Sequence, residues 1–88
     1  MASAVRMPKL GLTMERGTVT RWLKREGEPV RKGEAIVEIE TDKIASEVES
    51  PADGTLLRIL VGEGAEAEVR AVLAVVGEPG EDSRELSA

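Results

Sequence analysis
Residues 17–27 of this 88-residue chain, Gly-Thr-Val-Thr-Arg-Trp-Leu-Lys-Arg-Glu-Gly, recur 37 positions later as Gly-Thr-Leu-Leu-Arg-Ile-Leu-Val-Gly-Glu-Gly. Six of the eleven positions are identical, and at the same offset Ile36 falls on Leu73 and Ile39 on Val76. Two copies are too few for a solenoid, which needs several stacked units to bury its faces. A duplicated four-strand motif closing on itself is the alternative, with its halves related by an approximate two-fold axis. The seam between the copies then falls near residues 38–49.

Punctuation by glycine supports short strands. Glycines at 11, 17, 27, 33, 54, 62, 64 and 77 interrupt the chain every few residues, which favours tight turns over long helices. Trp22 is the only aromatic residue, so the core is built from Val, Ile, Leu and Ala. A chain of this length buries about two-thirds of its unfolded surface, enough for one small domain.

Several chemistries are excluded by what the chain lacks. There is no Cys, so no disulfide, thiol nucleophile or cysteine metal site is available, and no His to act as the usual general base or metal ligand. The formal charge of −5 argues against nucleic acid or anionic membranes as partners. No apolar run approaches the roughly 18 residues of a membrane span. Residues 1–5 lack the basic and apolar blocks of a signal peptide, so a cytoplasmic location is expected, or the mitochondrial matrix in a eukaryote.

Along the chain, residues 1–4 are expected to be disordered, 5–78 to form the folded domain, and 79–88 to begin a flexible, polar, Pro/Gly-containing linker to a longer protein. Strands are expected at 5–8, 17–23, 35–40, 44–50, 56–61 and 72–76, with a turn-rich connection at 25–33. Val19 and Trp22 lie three apart in one strand, so a bulge or strong twist is needed to turn both inward. Residues 65–76 are rich in helix formers, yet register with the first half favours strand, since tertiary context overrides propensity. The expected core is Val19, Trp22, Val30, Ile36, Ile39, Ile44, Val48, Ile59 and Leu73.

At the seam, Glu38-Ile39-Glu40-Thr41-Asp42-Lys43-Ile44-Ala45-Ser46-Glu47-Val48-Glu49 reads as a hairpin. Ile39, Ile44 and Val48 alternate with glutamates as in a half-buried pair, and Asp42 is a turn former. Lys43 then stands at the tip, where another enzyme could modify its amine. Most surface lysines are only solvated charges, so this placement gains weight from the repeat around it. Leu10, Leu12 and Met14 make the 10–15 loop unusually apolar, either as a contact surface or, for Leu10, as a plug in one end of the barrel.

These segments resemble a known family. Residues 7–19 (Met-Pro-Lys-Leu-Gly-Leu-Thr-Met-Glu-Arg-Gly-Thr-Val), Trp22, 27–34 (Gly-Glu-Pro-Val-Arg-Lys-Gly-Glu) and 38–43 (Glu-Ile-Glu-Thr-Asp-Lys) are similar to the lipoyl domains of 2-oxo acid dehydrogenase complexes. Such domains belong to the dihydrolipoamide acyltransferase component. The likeness continues through Val48, Glu49, Pro51, Gly54, Leu60, Val61 and Glu63-Gly64 to about residue 80. It implies an all-β fold, a flattened barrel or sandwich of two four-stranded antiparallel sheets with quasi-two-fold symmetry, the barrel-sandwich hybrid.

By the same resemblance Lys43 carries lipoic acid in amide linkage. The isolated domain is then a non-catalytic carrier. The lipoyl group is reductively acylated by the decarboxylase component, delivers its acyl group at the acyltransferase core, and is reoxidised by dihydrolipoamide dehydrogenase. A chain without Cys or His leaves that chemistry to the cofactor and supplies presentation. Amide formation also removes the lysine charge, and tethering raises the effective concentration of a monomeric carrier at each active site. Glu40, Asp42 and Ile44 on the hairpin, and Leu12, Thr13 and Met14 in the first loop, are the expected recognition residues for the decarboxylase and the lipoylating enzyme. The Gly-Leu-Thr-Met loop resembles acetyl-transferring (pyruvate or acetoin) complexes. A biotin carrier of the same fold is the alternative, but its hallmark is methionine on both sides of the lysine, whereas Lys43 has Asp42 and Ile44. A cofactor-free adaptor would leave the motif unexplained. One departure from the family pattern is Arg70, which stands where the repeat places the counterpart of Gly33 and puts the turn geometry there in question.

Overall fold
The computed structural model describes residues 2–11, 14–42 and 44–78. Among these residues the regular structure is eight strands: β1 Ser3–Arg6, β2 Arg16–Trp22, β3 Pro29–Val30, β4 Ala35–Glu40, β5 Ala45–Glu49, β6 Gly54–Ile59, β7 Glu66–Glu68 and β8 Val72–Gly77. They form two four-stranded sheets, ordered β1-β8-β6-β3 and β5-β4-β2-β7, with every pairing antiparallel. This is the expected sandwich. Residues 66–68 and 72–77 are strand, as the repeat predicts and local propensity does not.

The 37-residue offset governs the hydrogen bonding as well as the sequence. Gly27 N donates to Leu56 O at 2.7 Å, and Gly64 N to Val19 O at 2.7 Å. Leu23 N donates to Ile36 O at 2.9 Å, and Leu60 N to Leu73 O at 2.8 Å. Side chains follow the same rule: Glu26 Oε2 accepts from Ile59 N at 2.7 Å, and Glu63 Oε2 from Trp22 N at 2.9 Å. Each half thus closes the end of a strand in the other half with an equivalent glutamate.

The expected bulge occurs twice. Pairing of β2 with β4 shifts register between Val19 and Arg21, and pairing of β6 with β8 shifts between Leu56 and Arg58. These are equivalent places in the repeat, and each breaks the two-residue alternation once. Val19 and Leu56 are fully buried as a result. Trp22 is only half-buried, packed against the core with Nε1 donating to Val61 O at 2.8 Å.

Ile36, Ile39, Val30 and Leu73 are buried as expected, and Val48 and Ile59 pack against the core from partly buried positions. The core also takes in Val5, Met7, Val37, Leu56, Ala67, Ala74 and Val76. Strand β8 is buried throughout Leu73–Gly77, because it runs between β1 and β6.

Two expectations are corrected. Ile44 is not core: it is 42% exposed. It follows β4 and precedes the first ladder residue Ala45, so it sits in the turn rather than in the layer filled by Ile39 and Val48. Residues 3 and 4, expected to be disordered, begin the first strand, which spans Ser3–Arg6 rather than 5–8. Ser3 pairs with Val76 and Ala4 with Val75, so a long-range ladder orders a segment with no local strand signal. Met1 and the expected linker at 79–88 lie outside the described residues.

Candidate attachment hairpin and its groove
Strands β4 and β5 pair in register from Glu38↔Glu47 through Ile39↔Ser46 to Glu40↔Ala45. Beyond that pair, Thr41 N donates to Ile44 O at 2.7 Å, and Ile44 N donates to the Thr41 hydroxyl at 3.2 Å. The Thr41 side chain therefore takes a turn bond that a backbone carbonyl would otherwise accept, which is the local use of Thr at a turn. Asp42 and Lys43 stand between these two residues in the sequence. Asp42 is exposed; Lys43 lies outside the described residues. Thr41 and Ile44 fix the ends of the turn through these backbone and hydroxyl bonds.

The hairpin borders an open groove of about 810 Å³. Its hairpin wall is Glu40, Thr41, Asp42 and Ile44; the facing wall is Gly11, Met14, Glu15, Arg16 and Gly17. Four of the expected recognition residues (Glu40, Asp42, Ile44 and Met14) are thus brought to one feature. Leu12 and Thr13 lie outside the described residues.

Met14 has a divided role. Its Sδ accepts a bond from Leu10 N at 3.1 Å, and its side chain packs on the core with that of Leu10. Gly17 makes room for it, since a Cβ at that position would meet Met14 Cε at 3.0 Å and Met7 Sδ at 3.1 Å. Leu10 and Met14 accordingly close this end of the barrel, and only part of Met14 reaches the groove. Sequence reasoning did not find Arg16 and Glu66, which also line the groove and pair at 3.6 Å across β2 and β7. That ladder joins segments 50 residues apart in the chain, with no local signal in either.

Among the described residues, the groove walls carry acids at Glu15, Glu40, Asp42 and Glu66 against one cation, Arg16. Among the described residues no group of His, Cys, Asp or Glu is arranged to hold a metal, and no buried side-chain polar atom lacks a partner. The described ionisable groups of the groove are all solvent-exposed, as on a surface that a partner can reach. A covalently attached, solvent-reaching group fits it, because the lysine's neighbours Asp42 and Ile44 are both exposed and the groove is open.

Residues 3–76 match the profile of the biotinyl/lipoyl family, described as biotin-requiring enzymes. The chain is 44% identical over 85 residues to the dihydrolipoyllysine-residue acetyltransferase component of the acetoin cleaving system of Bacillus subtilis, covering 97% of this chain and 21% of the relative. It is 46% identical over 79 residues to the corresponding component of the pyruvate dehydrogenase complex of Rhizobium meliloti, covering 89% and 18%. The chain thus spans about a fifth of the length of these curated relatives. Among solved structures, the lipoyl domain of the 2-oxoglutarate dehydrogenase complex of Azotobacter vinelandii superposes with a TM-score of 0.70 at 36% identity, covering 88% of this chain and 98% of that one. A single-chain, multi-domain long-chain acyl-CoA carboxylase shares the fold, at 21% identity and a TM-score of 0.71 over 96% of this chain and 8% of that one. With a family match over most of its length, a closed two-sheet sandwich and a near-complete overlay on a lipoyl domain, the chain belongs to the biotinyl/lipoyl family as a lipoyl domain of the acyltransferase-component type.

Proposed function
We propose that this domain carries lipoic acid on Lys43 and serves an acetyl-transferring 2-oxo acid dehydrogenase complex as its mobile acyl carrier. The observation that carries the reading is the Glu-Thr-Asp-Lys segment at the end of a register-locked hairpin, in a chain similar to acetyltransferase components of pyruvate and acetoin systems. When attached, the lipoyl dithiolane supplies the redox and acyl-carrying chemistry that the chain's own side chains cannot. The protein's part is mechanical and electrostatic. The β4–β5 ladder and the Thr41–Ile44 bonds hold the base of the arm, Asp42 and Ile44 flank it, and the acids of the groove orient a partner on approach. Its partners are a decarboxylase component, the acyltransferase core, dihydrolipoamide dehydrogenase and a lipoylating enzyme. They share its compartment, cytoplasm or mitochondrial matrix.

Intact mass after incubation with lipoate and a lipoylating enzyme tests the attachment. One lipoyl group is expected on wild type, mapped by peptide to Lys43, and none on Lys43→Ala. A biotinyl mass instead, or a lipoyl mass on Lys9, Lys24 or Lys32, would sink the assignment. Loading kinetics test the rest. A fully lipoylated variant substituted at Leu12 and Thr13 should be acylated more slowly by the decarboxylase, with its melting temperature nearly unchanged; wild-type rates would show that those two residues make no contact.

A further inference from the structure
Arg70 holds a left-handed backbone conformation, with φ at 76°. Glycine adopts it freely and a residue with a side chain resists it. The equivalent position in the first half is Gly33, with φ at 87°. The turn itself does not use the arginine side chain. Arg70 N donates to Met7 O at 2.8 Å, Ala71 N to Glu68 O at 2.9 Å, and Arg6 Nη1 to the Arg70 carbonyl at 2.9 Å. The Arg70 guanidinium is in none of these bonds, is exposed, and makes no ion pair among the described residues. Its nearest acids along the chain and ladder, Glu68 and Glu15, pair with neither Arg70 nor Arg6. A strained site therefore keeps a side chain that the fold gains nothing from, on an otherwise acidic domain.

Its position gives that side chain a use. Val69 N donates to Glu15 O at 3.0 Å, and Glu15 and Arg16 form the wall of the groove that faces Glu40, Thr41 and Asp42. The turn at 69–70 thus flanks the first loop at the end of the molecule that bears the hairpin. We propose that Arg70, backed by Arg6, is a recognition residue that meets an acidic patch on the decarboxylase that loads the arm. The inference rests on the carrier reading above. A partner that draws the arm into a deep active site covers the hairpin end as a whole, the neighbouring turn included, whereas an enzyme that modifies Lys43 needs only the hairpin strands. Acids of the groove and cations of the turn then form a two-sign surface that fixes orientation as well as attraction.

The test uses fully lipoylated wild type, Arg70→Gly, Arg70→Lys and Arg70→Glu, with a pyruvate- or acetoin-type decarboxylase component as the probe. Arg70→Gly relieves the backbone and should melt several degrees higher, yet its kcat/KM for loading should fall about three- to tenfold at low salt, with the change in KM. The deficit should close at about 0.5 M salt, where screening is nearly complete. Arg70→Lys should keep most of the rate, Arg70→Glu should lose more than the glycine variant, and the extent of lipoylation should be equal in all four. Wild-type loading of both Arg70→Gly and Arg70→Glu would overturn the proposal, as would a salt-independent fall in kcat alone or a parallel fall in lipoylation. Failure of the carrier reading is distinguishable, because it appears in the wild type as the absence of a lipoyl group on Lys43.

Discussion
Single side chains around the hairpin divide sharply into those the fold needs and those it does not. Ile39 is 1% exposed and Ile44 42% exposed, five residues apart in one hairpin. Ile39→Ala should cost about 2–5 kcal/mol, as for other buried aliphatic truncations, whereas Ile44→Ser should change stability by less than about 0.5 kcal/mol, the usual range for surface substitutions. Urea denaturation of the two variants checks this, and equal losses would place Ile44 back in the core. Lys43→Ala should likewise melt with wild type, since the turn bonds run between Thr41 and Ile44. Both isoleucines look alike in the sequence. What separates them is the point where the ladder stops, and alternation alone does not give that.

At the scale of the strand, two devices set the register, and neither is a hydrophobic contact. The first is the close approach of β6 to β8, where a Cβ on Gly54 would lie 2.9 Å from the Gly77 carbonyl oxygen. Gly54→Ala should therefore destabilise by about 1–3 kcal/mol, the range of overpacked sites, while Gly62→Ala, with nothing within 4 Å, should not clash. Thermal melts of the pair decide the matter. The second device is the reciprocal pair of bonds in which Glu26 accepts from Ile59 N and Glu63 accepts from Trp22 N. Glu26→Ala and Glu63→Ala should each cost about 1 kcal/mol, the net worth of one such bond, and the corresponding glutamine variants should recover part of it. Losses in only one of the two variants would mean that the halves are not mechanically equivalent.

Taken whole, the molecule is one sandwich built by two interlocked copies, so its stability depends on long-range pairs. Truncation of equivalent core residues should be comparably costly: Val19→Ala and Leu56→Ala, both fully buried, should each lose about 2–4 kcal/mol, with the larger side chain losing more. Trp22→Ala should fall near 3 kcal/mol, at the low end for tryptophan, because the ring is only half-buried. Chemical denaturation with Trp22 as the probe for the other variants, and circular dichroism for its own, measures these. A neutral Leu56→Ala would contradict a shared core. Carrier function follows from the same architecture. The two sheets hold the β4–β5 hairpin and the walls of its groove together at one end of the sandwich.

The sequence alone determined the duplication, the strands at 66–68 and 72–76, the bulge beside Val19 and the β4–β5 hairpin. Those follow from local chemistry repeated at a fixed offset: β-branched alternation, glycines at turns, and two copies that must adopt one geometry. Tertiary structure alone decided that Ser3 and Ala4 join a strand, that Met7 and Val37 are core, that Ile44 is not, and that Arg16 and Glu66 meet at the groove. It also decided the turn at Arg70, where the repeat's geometry persists without its glycine. The hydrogen bonds from Arg70 N to Met7 and from Arg6 to the Arg70 carbonyl hold that backbone in place. Such outcomes depend on ladders between segments some 50 to 70 residues apart, and a pairing partner that distant leaves no periodicity in the residues beside it.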